Sequence, residues 1–398
     1  MVRVLYPRRA APASAIRPTR AEINLASLRH NLNVLSRSIQ ASQPRTSHPQ
    51  IWGVLKADAY GHGAPAVART LERAGITGLC VALLEEAVEL REAGIRIPIL
   101  VMGGYYGLRN DGMEELIARN LTPVIYSAAQ VEKLAAIASY RGSKGVDVHL
   151  KADTGMGRLG VDSSEFQDVL DAIARTPMIR LQGLMTHLAC ADADDLHATN
   201  EQLSRFMEIE RRVRAAGLTP TLRHAANSAA LFRLPASRLD MVRPGIALFG
   251  LEPRVGLAPE LRPVMSVRSE IVAIRKIEEG HCVGYGYTWK ATRPSMVATV
   301  PMGYADGLSR NLSNRGSVLV HGKRAAIAGT ISMDLTVIDV TDVPCAKIGD
   351  EVVFLGSQEG SLGQASITAV EMADLSGTIS WEVLTSISRR VPRFYREP

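Results

Sequence analysis

Eight short apolar runs, separated by longer stretches of helical periodicity, constrain this chain more than any other feature. They are Ile51–Leu55, Gly78–Leu83, Ile97–Val101, Leu121–Tyr126, Val146–Leu150, Leu181–Leu188, Thr221–Ala225 and Met241–Phe249. Helices fit between most of them, at Ala66–Ala74, Glu85–Ala93, Met113–Arg119, Ala128–Ser139, Glu165–Ala174 and Glu201–Ala216, with Gly75, Gly94 and Gly217 as stops. The link Asn227–Asp240 holds at most one or two helical turns. Eight β units in series favour closure into a (β/α)8 TIM-type barrel over an open doubly wound sheet, where six or fewer strands are usual. The fold class read from this pattern is α/β, with the barrel over residues 21–251.

The pattern changes after Leu251. Residues 252–263 are rich in proline and read as a linker. Met265–Ile274, Met296–Val300, Ser317–Val320, Ala325–Ile331, Leu335–Val340 and Glu351–Leu355 read as strands, followed by a helix at Ala365–Leu375 and a last strand at Thr378–Ile387. Residues 252–398 therefore form a mainly β C-terminal domain. The formal charge of +6 is unevenly placed, because residues 1–20 carry five arginines and no acid. The remainder is close to neutral. Charge thus gives no argument for a nucleic-acid partner, and residues 1–20 read as a flexible basic leader. No stretch has the length of apolar chain a membrane span needs. Cys80, Cys190, Cys282 and Cys345 are scattered and form no metal-like spacing, which suits a reduced, cytoplasmic protein.

A barrel makes a test, since its working residues gather at the C-terminal ends of the strands. Lys56 ends the first run, Lys151 and Asp153 the fifth, and His187 the sixth. His224 and Asn227 end the seventh, and Arg243 lies in the eighth. Lys56 opens the stretch KADAYGHG. A lysine at the end of a buried strand loses solvation, so its pKa falls and its amine becomes nucleophilic enough for a Schiff base. The stretch Lys151–Gly160, KADTGMGRLG, packs three glycines around Arg158, whose planar fork can reach a carboxylate or ring oxygen. Ser228 and the backbone N–H groups after Arg243 offer a phosphate cradle at the place where many such barrels hold one. No nucleotide-binding loop or tight metal cluster is present, and the acidic group Asp192, Asp194 and Asp195 gives no metal site. Phosphate, ring and lysine together suggest pyridoxal 5'-phosphate.

The chain resembles the fold-type III pyridoxal-phosphate enzymes, specifically the alanine racemases. The resemblance rests on KADAYGHG at Lys56–Gly63, DTGMGRLG at Asp153–Gly160, ANSA at Ala226–Ala229 and RPGIALFG at Arg243–Gly250. It continues with GYG at Gly284–Gly286, GYADG at Gly303–Gly307 and SMD at Ser332–Asp334. It covers about Arg20 to Phe394 and implies a small-molecule amino-acid substrate and a homodimer with shared sites, with neither nucleic acid nor membrane as partner. Lys56 is implied as cofactor lysine and one acid–base group, and Tyr285, entering from a partner subunit, as the other. Tyr60, Asn227, Ser228, Gly245 and Ile246 resemble phosphate ligands. Arg158 is implied to meet the ring phenolate oxygen and the substrate carboxylate, with Met333 and Tyr304 as further substrate contacts. Arg243 is implied to face the pyridine nitrogen, His187 to bridge Arg243 and Tyr285, and Asp334 and Lys151 to support the site. Lys151 matches a position often carbamylated in the family.

Two positions depart from the family pattern. Trp381 stands where a phosphate-binding tyrosine is usual, and Thr330 where an arginine near the substrate entrance is common. Both bear on substrate range, and neither touches the two-base core. The leading expectation is an alanine racemase that supplies D-alanine for peptidoglycan. The alternatives are a racemase of the same chemistry preferring serine or another amino acid, a noncatalytic cofactor-binding protein and a decarboxylase on the same barrel. The C-terminal domain with Tyr285 argues against a carrier, and no cysteine- and aspartate-bearing loop around Cys345 supports a decarboxylase.

Overall fold

The computed structural model describes residues 16–41, 48–105 and 110–397. The chain divides into two compact units. Of the described residues, one unit holds those of Ser27–Ala59 and Ala64–Arg262; the other holds residues 16–26, Tyr60–Gly63 and those from Pro263 onward. The part of the expected leader before residue 16 lies outside the described residues. No helix among the described residues is long and apolar enough to cross a membrane.

The first unit is the expected barrel. Its strands are Gln50–Val54, Gly78–Val81, Ile99–Val101, Thr122–Ile125, Val146–Lys151, Ile179–Met185, Leu222–His224 and Met241–Val242. Each pairs in parallel with the next as far as Leu222–His224, and Met241–Val242 pairs with Gln50–Val54. The remaining seam is bridged by Asp240 N donating to Arg223 O at 3.1 Å and Arg243 N donating to Ala226 O at 3.0 Å. Strand residues such as Leu79, Leu100, Val124, Leu150 and Leu184 are fully buried, as two-sided burial of parallel strands requires. The surrounding helices bury one stripe each. Phe166, Val169, Leu170 and Ile173 follow the i, i+3, i+4, i+7 spacing.

The second unit is mainly β. Its larger sheet runs in the order Lys323–Ala326, Ser317–Val320, Glu351–Gly360, Met265–Glu270, Arg20–Asn24, Arg393–Arg396, with Gly363–Ile367 beside Glu351–Gly360. A three-stranded sheet joins Ala273–Ile277, Ser295–Val300 and Thr336–Asp339.

Three features correct the sequence reading. Arg20–Asn24 is a strand of the β unit, antiparallel to Met265–Glu270 and parallel to Arg393–Arg396. The barrel unit therefore starts at Ser27 rather than residue 21, because local alternation cannot say which distant sheet a strand will join. The linker expected from residue 252 stays with the barrel as far as Arg262. Asn31 holds it there, its amide donating to Arg262 O and its oxygen accepting from Arg262 N, each at 2.8 Å. Finally, Thr378–Ile387 is not a strand. Ser380–Ser386 is a helix, and its buried residues Ser380, Val383, Leu384 and, just beyond it, Ile387 follow helical spacing. The terminal strand is Arg393–Arg396.

Candidate active site

Lys56 stands at the C-terminal end of the first barrel strand, where the chain enters a left-handed turn. Ala57, Asp58, Ala59 and Tyr60 have φ of 53°, 54°, 54° and 52°. Each non-glycine residue held there costs about 1–2 kcal/mol, so the turn persists only because its polar groups are tied. Ala59 N donates to Leu55 O at 2.9 Å, and Asp58 Oδ1 accepts from Ala64 N at 2.7 Å. Glu86 does more. Its Oε1 accepts from Ala57 N at 2.6 Å, and its Oε2 accepts from Ala82 N at 2.9 Å and Leu83 N at 3.0 Å. One carboxylate thus joins the residue after Lys56 to the end of the second strand. Burial among the strand ends lowers the pKa of Lys56, the charge of Arg158 lowers it further, and Glu86 opposes the fall. A lowered pKa gives more free amine at neutral pH, which a nucleophile or base needs.

Arg243 follows the eighth strand and is buried. Its Nη1 donates to His224 Nδ1 at 2.5 Å, and its Nη2 donates to Thr186 O at 2.8 Å and Ala225 O at 3.3 Å. Because guanidinium can only donate, His224 must accept at Nδ1 and carry its proton on Nε2. His224 Nε2 lies 2.8 Å from His149 Nδ1, and His149 Nε2 lies 3.2 Å from Gln182 Oε1. The only consistent pattern is a one-way row of donors from Arg243 through two neutral imidazoles to an amide oxygen. Burial lowers the pKa of His149 to about 4 and holds His224 well below its ordinary value, so both remain neutral at pH 7. Burial also lowers Arg243, to about 10, which leaves it a cation. His149 fits the barrel interior because its neighbour Gly183 lacks a side chain; a Cβ there would lie 2.5 Å from the imidazole Cγ.

Lys151 ends the fifth strand and is buried, with a pKa lowered to about 8 by burial and then by Arg158 and Arg243. The glycine-rich loop after it is wound around Asp153, whose carboxylate accepts from Gly155 N, Met156 N and Gly157 N at 2.8–2.9 Å. Gly155, Gly157 and Gly160 all have positive φ. The loop presents Arg158 at an exposed position. The pKa of His187 is lowered to about 3 by burial, then by Arg243, Arg158, Lys151 and Lys56, so this imidazole is neutral and ringed by cations. The side-chain bonds of Arg243 go to His224, Thr186 and Ala225; none of those described goes to His187, its expected partner.

Asn227 and Ser228 open a short helix after the seventh strand, where Asn227 Oδ1 accepts from Ala230 N at 3.0 Å. Ser228 Oγ accepts from Gly245 N at 2.9 Å, and Ile246 begins the short helical segment after the eighth strand. The hydroxyl and two sets of helix-starting N–H groups meet at one end of the barrel. Lys56, Lys151, Arg158 and Arg243 make the same mouth cationic. This donor set fits a phosphorylated cofactor with an aldehyde for Lys56 and an acceptor nitrogen for Arg243.

The remaining expected residues belong to the second unit. Tyr60 is buried, and the adjoining Gly61 O accepts from Arg393 Nε at 2.9 Å. Tyr285 is 74% exposed. Its carbonyl accepts from Thr330 Oγ1 at 3.0 Å, so the threonine supports the tyrosine's turn. Tyr304 N donates to Ser332 O and Ala305 N donates to Met333 O, each at 3.0 Å. Asp334 accepts from Arg390 Nη2 at 2.6 Å. Trp381 lies half-buried in the helix Ser380–Ser386. Sequence reasoning missed Glu86, His149 and Gln182. An acid in the first turn of a helix after a strand end was a visible signal for Glu86. An imidazole within a buried strand run was one for His149.

Residues 23–253 match the family model of the alanine racemase N-terminal domain, and residues 264–395 that of the alanine racemase C-terminal domain. An alanine racemase of Sorangium cellulosum is 68% identical over 383 residues, covering 96% of this chain and all of that protein. The alanine racemase structure of Clostridium difficile 630 aligns with a TM-score of 0.87 at 36% identity, covering 96% of this chain and 97% of its own. The Bacillus anthracis alanine racemase with bound L-Ala-P aligns with a TM-score of 0.87 at 33% identity, covering 97% and 96%.

Proposed function

This chain belongs to the alanine racemase family, and on that premise we propose that it interconverts L- and D-alanine with pyridoxal 5'-phosphate as cofactor. The observation that carries the reading is Lys56: an amine with a lowered pKa, presented by a strained turn into a cationic barrel mouth. Bound there, the cofactor supplies the electron sink that acidifies the Cα–H of the amino acid. The protein's own groups do the rest. Ser228, Asn227, Tyr60 and the backbone of Gly245 and Ile246 would hold the phosphate, with Trp381 in the place of the family's usual phosphate-binding tyrosine. Arg158 and the Met333 N–H would hold the substrate carboxylate, with Tyr304 as a further substrate contact. Lys56 moves a proton on one face of Cα and Tyr285 on the other. Arg243 would donate to the ring nitrogen without giving up its proton, because a guanidinium can only donate and this one stays a cation despite its burial. Lys151, whose pKa is lowered to about 8, is the amine that would take up a carbamate to orient Arg158.

Tyr285 serves a partner's site in this reading, and the active protein is a homodimer. The large exposure of Tyr285, Tyr287 and Met333 supports a face given to a second copy. The free cysteines, three of them exposed, suit the cytoplasm, where the product would feed peptidoglycan synthesis. Purified protein supplied with pyridoxal phosphate should convert either enantiomer of alanine to the racemate on chiral chromatography, and borohydride should fix the cofactor on the Lys56 peptide. Retention of enantiomeric purity by loaded protein would overturn the proposal.

A further inference from the structure

Asp306 is a carboxylate with no exposed surface, and two arginines converge on it. Arg17, from the segment before the first strand, meets it as a fork: Nη1 donates to Oδ2 at 2.9 Å and Nη2 donates to Oδ1 at 2.8 Å. Arg390 Nε lies 3.6 Å from Oδ1, and Arg390 Nη2 donates to Asp334 Oδ1 at 2.6 Å. Arg17 Nη2 also donates to Arg390 O at 3.2 Å, which ties the two arginines to each other. The second oxygen of Asp306 accepts from Gly303 N at 3.0 Å.

This cluster lies directly behind the turn that carries Met333. Gly303, Tyr304 and Ala305 press against the backbone of Ser332 and Met333. Tyr304 N and Ala305 N donate to their carbonyls, and a Cβ on Gly303 would lie 2.3 Å from both oxygens. The turn is closed on its other side by Ser332 Oγ, which donates to Leu335 O at 2.7 Å and accepts from Leu335 N at 3.2 Å. Asp306 fixes the support on which Met333 rests, and Arg390 reaches from that carboxylate to the next residue, Asp334. Two cations and two carboxylates balance, and the bidentate Arg17 fork sets the geometry of the buried member.

We propose that Arg17 and Arg390 are positioning residues for substrate recognition, acting through Asp306 and Asp334 to hold the Met333 N–H where it meets the amino acid's carboxylate. The inference rests on the reading of Met333 as a carboxylate ligand. It gives the segment before the first strand a part in substrate binding that its basic composition did not suggest.

The test uses the holoenzyme carrying Arg17→Gln, Arg17→Lys or Arg390→Gln, with racemisation followed from both enantiomers. Loosening the turn weakens a contact made to substrate and transition state alike, so KM should rise about five- to tenfold for both enantiomers while kcat stays within about twofold. The absorption band of the bound cofactor should not move. Arg17→Lys should recover little, since an ammonium cannot reproduce the fork. A purely structural role would lower melting temperature and active fraction but leave KM of the folded fraction unchanged, and that outcome overturns the inference. Replacing the Met333 amide by an ester separates the two readings. If the ester raises KM and the arginine variants do not, the clamp is wrong and the Met333 contact stands. If the ester leaves KM unchanged, the Met333 contact itself is wrong.

Discussion

Replacing Lys151 by methionine should stabilise the protein, and the gain should depend on pH in a defined window. Lys151 is 5% exposed, and burial, then the cations Arg158 and Arg243, lower its pKa against the opposing charge of Asp153. Its amine titrates at about 8 in the fold, against 10.5 for an ordinary lysine. Between those values the unfolded chain holds more protons than the folded one, so stability rises with pH across the window. Below pH 8 the full cost is present, about 3 kcal/mol at about 1.4 kcal/mol per tenfold change. Above 10.5 it is gone. Methionine keeps most of the apolar stem and removes the charge, so in buffer free of carbon dioxide Lys151→Met should exceed the wild type by up to about 3 kcal/mol at pH 7. The gap should close toward pH 10.5. Urea denaturation at equal protein concentration, from pH 6.5 to 10.5, measures it. Bicarbonate should narrow the gap from the other side, because a carbamate on Lys151 turns two repulsions into attractions, and labelled bicarbonate should give a carbamate carbon resonance. A pH-independent gap, or a less stable variant at pH 7 without bicarbonate, would refute the reasoning.

Glu86→Ala leaves three backbone N–H groups without their carboxylate, and should cost about 2 kcal/mol in denaturation. It also removes the anion that raises Lys56, so the pH at which the bound cofactor's absorption changes should fall; an unmoved transition would show that Glu86 does not act on Lys56. Trp381→Tyr restores the hydroxyl usual in the family, and should tighten cofactor retention by up to about tenfold in equilibrium dialysis. No change in either retention or the alanine-to-serine activity ratio would place residue 381 away from the site.

The barrel was legible because its signal is local. Each strand is a short apolar run and each helix a buried stripe, and all eight strands lie where the runs do. The register of Arg20–Asn24 was not legible, because its partners Met265–Glu270 and Arg393–Arg396 are far along the chain. Thr378–Ile387 misled because Ile379, Trp381 and Val383 alternate as in a strand, while the buried residues Ser380, Val383, Leu384 and Ile387 follow the helical i, i+3, i+4, i+7 spacing. At the site, Lys56 and Arg158 announced themselves through glycine-rich, charge-bearing stretches. His149 was visible only as an imidazole in a buried run, and its role and that of Gln182 were not, because they are set by a row of bonds across three strands. The left-handed turn after Lys56 was equally hidden, since Ala57 and Ala59 carry no sign of positive φ.

The central claim is that Lys56 and Tyr285 work on opposite faces of one carbon, and deuterium exchange tests it most directly. In deuterated water, Tyr285→Phe holoenzyme should exchange the Cα proton of D-alanine much faster than that of L-alanine, because only the Lys56 face remains served. The cofactor should stay bound and yellow. Equal slowing for the two enantiomers, with the cofactor retained, would contradict the account.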